Sequence, residues 1–320
     1  MKKYISTIAR ILISFGLLGL LIWVMKNDLG KIGSTLKQID MRVIFLAVGL
    51  IFVNVGIQAY RLKIIFKGED LNIKFRNALE LTFVGYFFNN FMPTAVGGDI
   101  IKAHYASKFN GEKLKSYASV FMDRLIGLYT FVLIAAVSLI VYRGDLDMPG
   151  VKIIVVGLSL VGGLGFFVIT HKKAAIFLSG LFSKIKMLGL GKKLNDIYDI
   201  VHDYRNRKDV IMKAAITSSL GQCIYFSIIF LFFIAMGADV TIGDILLIMP
   251  IVILISMVPS LGGLGVREGA IVAFFSPIAG RDNAFAASLL MLSTLFFMSI
   301  IGGIICFWWN ISGRLKANKL

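Results

Sequence analysis

The sequence predicts an all-α, polytopic membrane protein, and three observations predict it. Of 320 residues, 58% are hydrophobic, where a soluble domain carries about 45–50%. Mean hydropathy is +0.84. Several apolar runs approach the ~20 residues that cross a hydrocarbon core ~30 Å thick.

Six spans follow from the apolar windows, at about 5–25, 43–65, 116–141, 151–170, 211–236 and 284–309. The first has Lys2, Lys3 and Arg10 ahead of its apolar run, like a secretory signal. That run is long and lacks a small-x-small cleavage site, so a first transmembrane helix is expected. Two further pieces are shorter. ALELTFVGYFFNNFM (78–92) ends at Pro93, and DILLIMPIVILISMV (244–258) ends at Pro259. Fifteen helical residues reach about 22 Å, short of a full crossing. Both are expected to be arms of re-entrant hairpins, at about 78–107 and 244–277, with Pro93 and Pro259 as the helix breaks.

Charge orients the spans. The formal net charge is +16, and the positives lie in loops between apolar runs. Positive-inside bias and anionic lipid explain that placement, so nucleic acid is not an expected partner. The stretch 171–213 carries ten Lys/Arg against four Asp, and Arg314, Lys316 and Lys319 follow the last span. With these basic segments inside, both termini face the cytoplasm in the cytoplasmic membrane; the basic loop 26–42 goes against that assignment. Within 171–213, the stretch AAIFLSGLFSKIKMLGL (174–190) reads as an interfacial amphipathic helix.

The spans then divide into inverted halves, 1–148 and 149–320, each with one hairpin. PTAVGGDIIK (93–102) and PSLGGLGVRE (259–268) match as proline, small residues, paired glycines and a basic residue. Four positions separate Gly98 from Lys102, and four separate Gly263 from Arg267. Broken backbone in lipid must be satisfied by protein or water, so such breaks gather around cavities. Paired interrupted segments in the two halves of a repeat point to a transporter site. A new half-helix has free N–H groups and a dipole that attract an anion. The glycines Gly97, Gly98, Gly262 and Gly263 let a headgroup approach the backbone. Lys102 and Arg267 would add full positive charge, which makes a phosphate the natural guest. The competing reading is plain helix packing, with GVREG as a GxxxG contact.

Asp123 and Arg124 open the third span. Arg124 reads either as a cavity residue or as an interfacial anchor. Asp99 and Glu268 either neutralise the basic residues, select a cationic headgroup or form simple ion pairs. Glu80, Asn89 and Asn90 line a path or join helices, and Arg61 is expected to snorkel from a helix end. Cys223 and Cys306 read as small buried hydrophobes. His104, His171 and His202 show no metal-ligand spacing, and no GxxxxGK[ST] loop or nucleophilic triad is present. No cofactor, metal or enzymatic chemistry is therefore expected.

The stretches FFNNFMPTAVGGDIIKAHYASKF, SVFMDRLIGLY and MVPSLGGLGVREGA, in that order and spacing, resemble the transmembrane flippase region of lysylphosphatidylglycerol synthases and its stand-alone relatives. The likeness extends over nearly the whole chain. That family typically has glutamate and arginine where this chain has Asp99 and Lys102. The charges are kept, but lysine lacks arginine's bidentate fork. The resemblance implies movement of lipids with modified headgroups across the membrane. Eleven residues follow Trp309, so the aminoacyl-transferase domain of the full-length relatives is not expected.

The expected function is thus translocation of a phosphate-containing lipid, aminoacylated, glycosylated or polyprenyl-linked. The partners are then membrane lipids, with a homo-oligomer left open. The alternatives are an ion-coupled transporter of a soluble organic anion and an integral-membrane lipid transferase.

Overall fold

The computed structural model describes residues 39–92, 97–142, 149–170, 204, 207–258, 260 and 262–312, together with Gly19 and Trp23. Among these residues the chain is helical. Apart from Gly19 and Trp23, the first expected span lies outside the described residues, as do the amphipathic stretch 174–190, Pro93 and Pro259.

Nine helices follow in order among the described residues. They are α1 (Met41–Gly68), α2 (Phe75–Phe91), α3 (Gly97–Asn110), α4 (Lys113–Val141), α5 (Pro149–Thr170), α6 (Lys208–Ala235), α7 (Ile242–Ile255), α8 (Val266–Ala279) and α9 (Arg281–Ile311). Four of them, α1, α4, α6 and α9, are long and apolar enough to cross a membrane. They match the second, third, fifth and sixth expected spans to within about three residues, and α5 occupies the place of the fourth. The short elements α2, α3, α7 and α8 hold 14 to 17 residues each.

Local chemistry sets several boundaries. Asp40 caps α1 by accepting from the Arg42 N–H at 2.8 Å. Thr241 and Asp244 form a reciprocal capping box at the start of α7. Gly280, at φ +79°, turns the chain between α8 and α9, a conformation that a side chain resists.

α1 packs along α6, α2 against α9, and α4 against α7. α3 lies on α4, and α8 on α9. One apolar core gathers Phe226, Phe233, Ile248 and Phe275. A second joins Leu62, Phe66, Leu81 and Trp309, and there the Trp309 indole donates to Glu80 Oε2 at 3.1 Å. Glu80 therefore joins helices. α9 crosses α2 so closely that a side chain at Gly302 would run into the Phe83 carbonyl. Large apolar side chains such as Phe45, Ile140, Leu160 and Phe307 point outward. In water that would be a liability, but on a bilayer-embedded bundle they face lipid. Cys223 is on this exposed surface, so the expectation that it is buried does not hold.

Candidate functional site

The bundle holds a half-open cavity of about 360 Å³, at the small end of the ~300–1,000 Å³ typical of ligand sites. Of the residues singled out from sequence, Asp99, Lys102, Asp123, Arg124, Gly262, Gly263 and Arg267 line it. Gly97, Gly98 and Glu268 are buried but do not line it.

Three helices build a charge network on one side. Arg61 Nε on α1 donates to Asp123 Oδ1 at 2.7 Å. Lys102 Nζ on α3 lies 3.3 Å from Asp123 Oδ2 and 3.5 Å from Asp99 Oδ1. Arg124 on α4 pairs with Asp99 through Oδ2. Each aspartate is thus held by two cations, and three cations face two carboxylates. Lys102 and Asp123 are only 8% and 4% exposed. At such burial, removing one partner strands a charge at a cost of about 3–5 kcal/mol.

Arg61 corrects the sequence reading. It does not snorkel, because its side chain is 12% exposed and also donates to Ser218 Oγ at 2.7 Å. A sequence signal was present. Asn54, Gln58 and Arg61 recur at helical spacing 0, 4, 7 on α1 and form a polar stripe in an otherwise apolar helix. Ser218, Gln222 and Tyr225 repeat that spacing on α6, and all six line the cavity.

The two basic motif residues differ in setting. α3 is described from Gly97, which puts Lys102 more than a turn inside the helix. α8 begins at Val266, so Arg267 lies in its first turn. Equal sequence spacing does not become equal helical position, because Gly263 belongs to a turn at φ +81°. Arg267 is also paired. Its Nε and Nη2 donate to Glu268 Oε1 at 3.0 and 2.6 Å, and Glu268 is fully buried.

One N–H at each helix start is likewise engaged. The Gly265 N–H ahead of α8 donates to Glu268 Oε2 at 2.7 Å. The Gly98 N–H of α3 donates to Asn89 Oδ1 at 2.9 Å. The expectation of free N–H groups awaiting an anion is therefore corrected at both positions: the chain's own side chains accept there. The two broken segments touch, since a Cβ on Gly262 (φ +56°) would lie 2.8 Å from Asn90 Cα.

Amides furnish the rest of the wall. Gln58 Nε2 donates to Asn54 Oδ1 at 2.5 Å and to Tyr86 Oη at 2.8 Å. Asn54 itself donates to the Gly221 carbonyl. Asn90 Nδ2 donates to the Leu295 carbonyl at 3.2 Å and to Ser299 Oγ at 2.5 Å. Chemically, the cavity offers fixed cations, amides and hydroxyls inside an apolar shell. That combination can hold a polar headgroup while its tails stay in lipid.

Comparison with known proteins agrees with this setting. A UPF0104 membrane protein of Pyrococcus horikoshii is 26% identical, over 95% of this chain and 96% of that protein. A UPF0104 membrane protein of Methanothermobacter thermautotrophicus is 24% identical over 91% of each chain. A second protein of that name from the same organism is 29% identical over 72% of each. The family model described as "Lysylphosphatidylglycerol synthase TM region" matches residues 7–303. With membrane-length helices, membrane-protein relatives and a family match over nearly its whole length, this multi-pass membrane protein belongs to the lysylphosphatidylglycerol synthase TM region family.

Proposed function

We propose that this protein translocates a phosphate-containing lipid across the cytoplasmic membrane, passing the headgroup through the central cavity while the acyl chains remain in the bilayer. The observation that carries this reading is the gathering of three cations, Arg61, Lys102 and Arg124, around Asp99 and Asp123 in the cavity wall. Cations held this deep are expensive, and a visiting ligand of opposite sign offsets that cost. The membrane family gives that ligand a source, a lipid phosphate.

An inverted repeat would let the same cavity open alternately to each side. Several observations support one that divides near residue 149. The offset of 164 positions that carries 54, 58 and 61 to 218, 222 and 225 is nearly the 165 that carries Gly98 to Gly263 and Lys102 to Arg267. With α1–α4 set against α6–α9, most packing pairs have a counterpart. The pair α2 on α9 answers α7 on α4, α3 on α4 answers α8 on α9, and α1 on α4 answers α6 on α9. The pair α4 on α6 has no answering pair of α9 on α1 of similar extent among the described residues, and α7 packs on its neighbours about half as extensively as α2 does on the corresponding ones. In this reading α2–α3 and α7–α8 are re-entrant hairpins, and both termini are cytoplasmic.

The test uses purified protein in liposomes with acyl-labelled phosphatidylglycerol and an impermeant quencher. Exchange of inner-leaflet label by the wild type, reduced at least tenfold in a folded Lys102→Ala variant, is the expected result. No exchange, together with uptake of a soluble organic anion, would replace lipid translocation by anion transport. A chemically altered lipid after incubation would favour a transferase.

A further inference from the structure

The cavity wall also bears on which headgroup enters. All three carboxylates at the site are already committed. Asp99 and Asp123 each bridge two cations, and Glu268 is held by Arg267 and the Gly265 N–H. A cationic headgroup would find no spare carboxylate, and would have to displace a buried arginine or lysine to reach one.

Several uncharged groups in the wall are uncommitted. Asn89 Nδ2, Gln58 Oε1, Asn90 Oδ1 and the Tyr225 hydroxyl have no hydrogen-bond partner among the described residues. The amide orientations are not interchangeable. Asn89 must turn its oxygen to the Gly98 N–H, and Asn90 its nitrogen to the Leu295 carbonyl. Asn54 gives its nitrogen to the Gly221 carbonyl, which makes Gln58 present nitrogen to Asn54 Oδ1. Backbone groups cannot swap donor for acceptor, so one amide donor and two amide acceptors stay on offer, and the buried Gln222 Oε1 is a third acceptor without a partner among the described residues. An ammonium group only donates, and a phosphate oxygen mainly accepts. A hydroxyl does both, so a wall of mixed donors and acceptors beside three clustered cations matches a polyol carried on a phosphate. Tyr86 and Tyr225 add aromatic faces for the C–H surface of a ring.

The geometry points to an anionic, hydroxyl-rich headgroup, a sugar or cyclitol phosphate, as the preferred substrate over an aminoacylated one. This rests on the translocation reading. It assigns Asn89, Gln58, Asn90 and Tyr225 to hydroxyl recognition, and Arg61, Lys102 and Arg124 to the phosphate.

The experiment compares acyl-labelled phosphatidylinositol, phosphatidic acid and lysyl-phosphatidylglycerol in the liposome assay. The same headgroups, on short-chain lipids, are compared for thermal stabilisation of the protein in detergent. Phosphatidylinositol is expected to exchange at least tenfold faster than the lysyl lipid and to stabilise the protein most. Asn89→Asp keeps the acceptor for Gly98 but replaces the free donor with a spare carboxylate. It is expected to narrow the phosphatidylinositol-to-lysyl ratio at least tenfold. Equal or faster exchange of the lysyl lipid in the wild type overturns the headgroup assignment and leaves translocation standing. Phosphatidic acid matching phosphatidylinositol in both readouts overturns hydroxyl recognition. If no lipid exchanges, translocation fails, and the stabilisation order alone tests the assignment. Stabilisation by none of the three then overturns it as well.

Discussion

Lys102 Nζ lies 3.3 Å from Asp123 Oδ2, and this contact ties the short helix α3 to the long helix α4 inside the cavity wall. Through Asp99 on one side and Arg61 on the other, it makes five charged residues on three helices a single electrostatic unit. Removing any one member unbalances the rest.

Asp123→Asn leaves Arg61 and Lys102 buried against one remaining aspartate. Stability in detergent should fall by roughly 3 kcal/mol, the scale of a broken buried pair. The double variant Asp123→Asn/Lys102→Met should lose less than the sum of the single losses. Thermal melts of the four proteins check this, and strict additivity would contradict a coupled network.

Arg267→Ala should destabilise by about 3–5 kcal/mol, because Glu268 is left fully buried with its main cationic partner gone. Arg267→Ala/Glu268→Gln should recover much of that loss. Transport by the recovered protein then separates a headgroup role for Arg267 from its role in holding Glu268. Melting the single and double variants in parallel is the measurement, and equal melting points would discount the pair.

Gly262→Ala places a Cβ at φ +56° and 2.8 Å from Asn90 Cα. The left-handed conformation costs about 1–2 kcal/mol for a residue with a Cβ, and the steric conflict forces the broken segments apart. Lipid exchange should drop severalfold with little change in expression. Gly269→Ala, where a Cβ meets open space, is the control and should behave as wild type.

Gly302→Val should destabilise by about 1–3 kcal/mol through overpacking, because α9 rests directly on the Phe83 backbone. The drop in melting temperature should exceed that of Gly157→Val, a position with open space around it. Comparable drops would mean that the close crossing of α2 and α9 contributes little.

Composition and apolar run length made the membrane class and the positions of α1, α4, α6 and α9 legible, since any residue in a hydrocarbon core must be apolar or paired. The breaks after α2 and α7 were legible too, where proline and paired glycines fall together; either alone does not interrupt a helix here, since Pro250 lies inside α7, Pro277 inside α8 and Gly302–Gly303 inside α9. The polar stripe Asn54–Gln58–Arg61 was written in the chain as well. Reading it as part of a site needed a partner face, which α6 supplies from more than 150 residues away.

Pairing is where sequence runs out. Sequence placed Asp99, Lys102, Asp123, Arg124, Arg267 and Glu268 near breaks or helix starts, but no spacing rule says which charge meets which. In the fold, Arg267 turns to its own neighbour, while Lys102 bridges to a different helix. The Gly98 N–H looked free and is held by Asn89. Local propensity and hydropathy act over a few residues, so they write helices and interruptions directly into the sequence. Ion pairs across 21 to 62 positions and hydrogen bonds across as many as 167 depend on how the helices cross, and helix packing alone settles which charges meet.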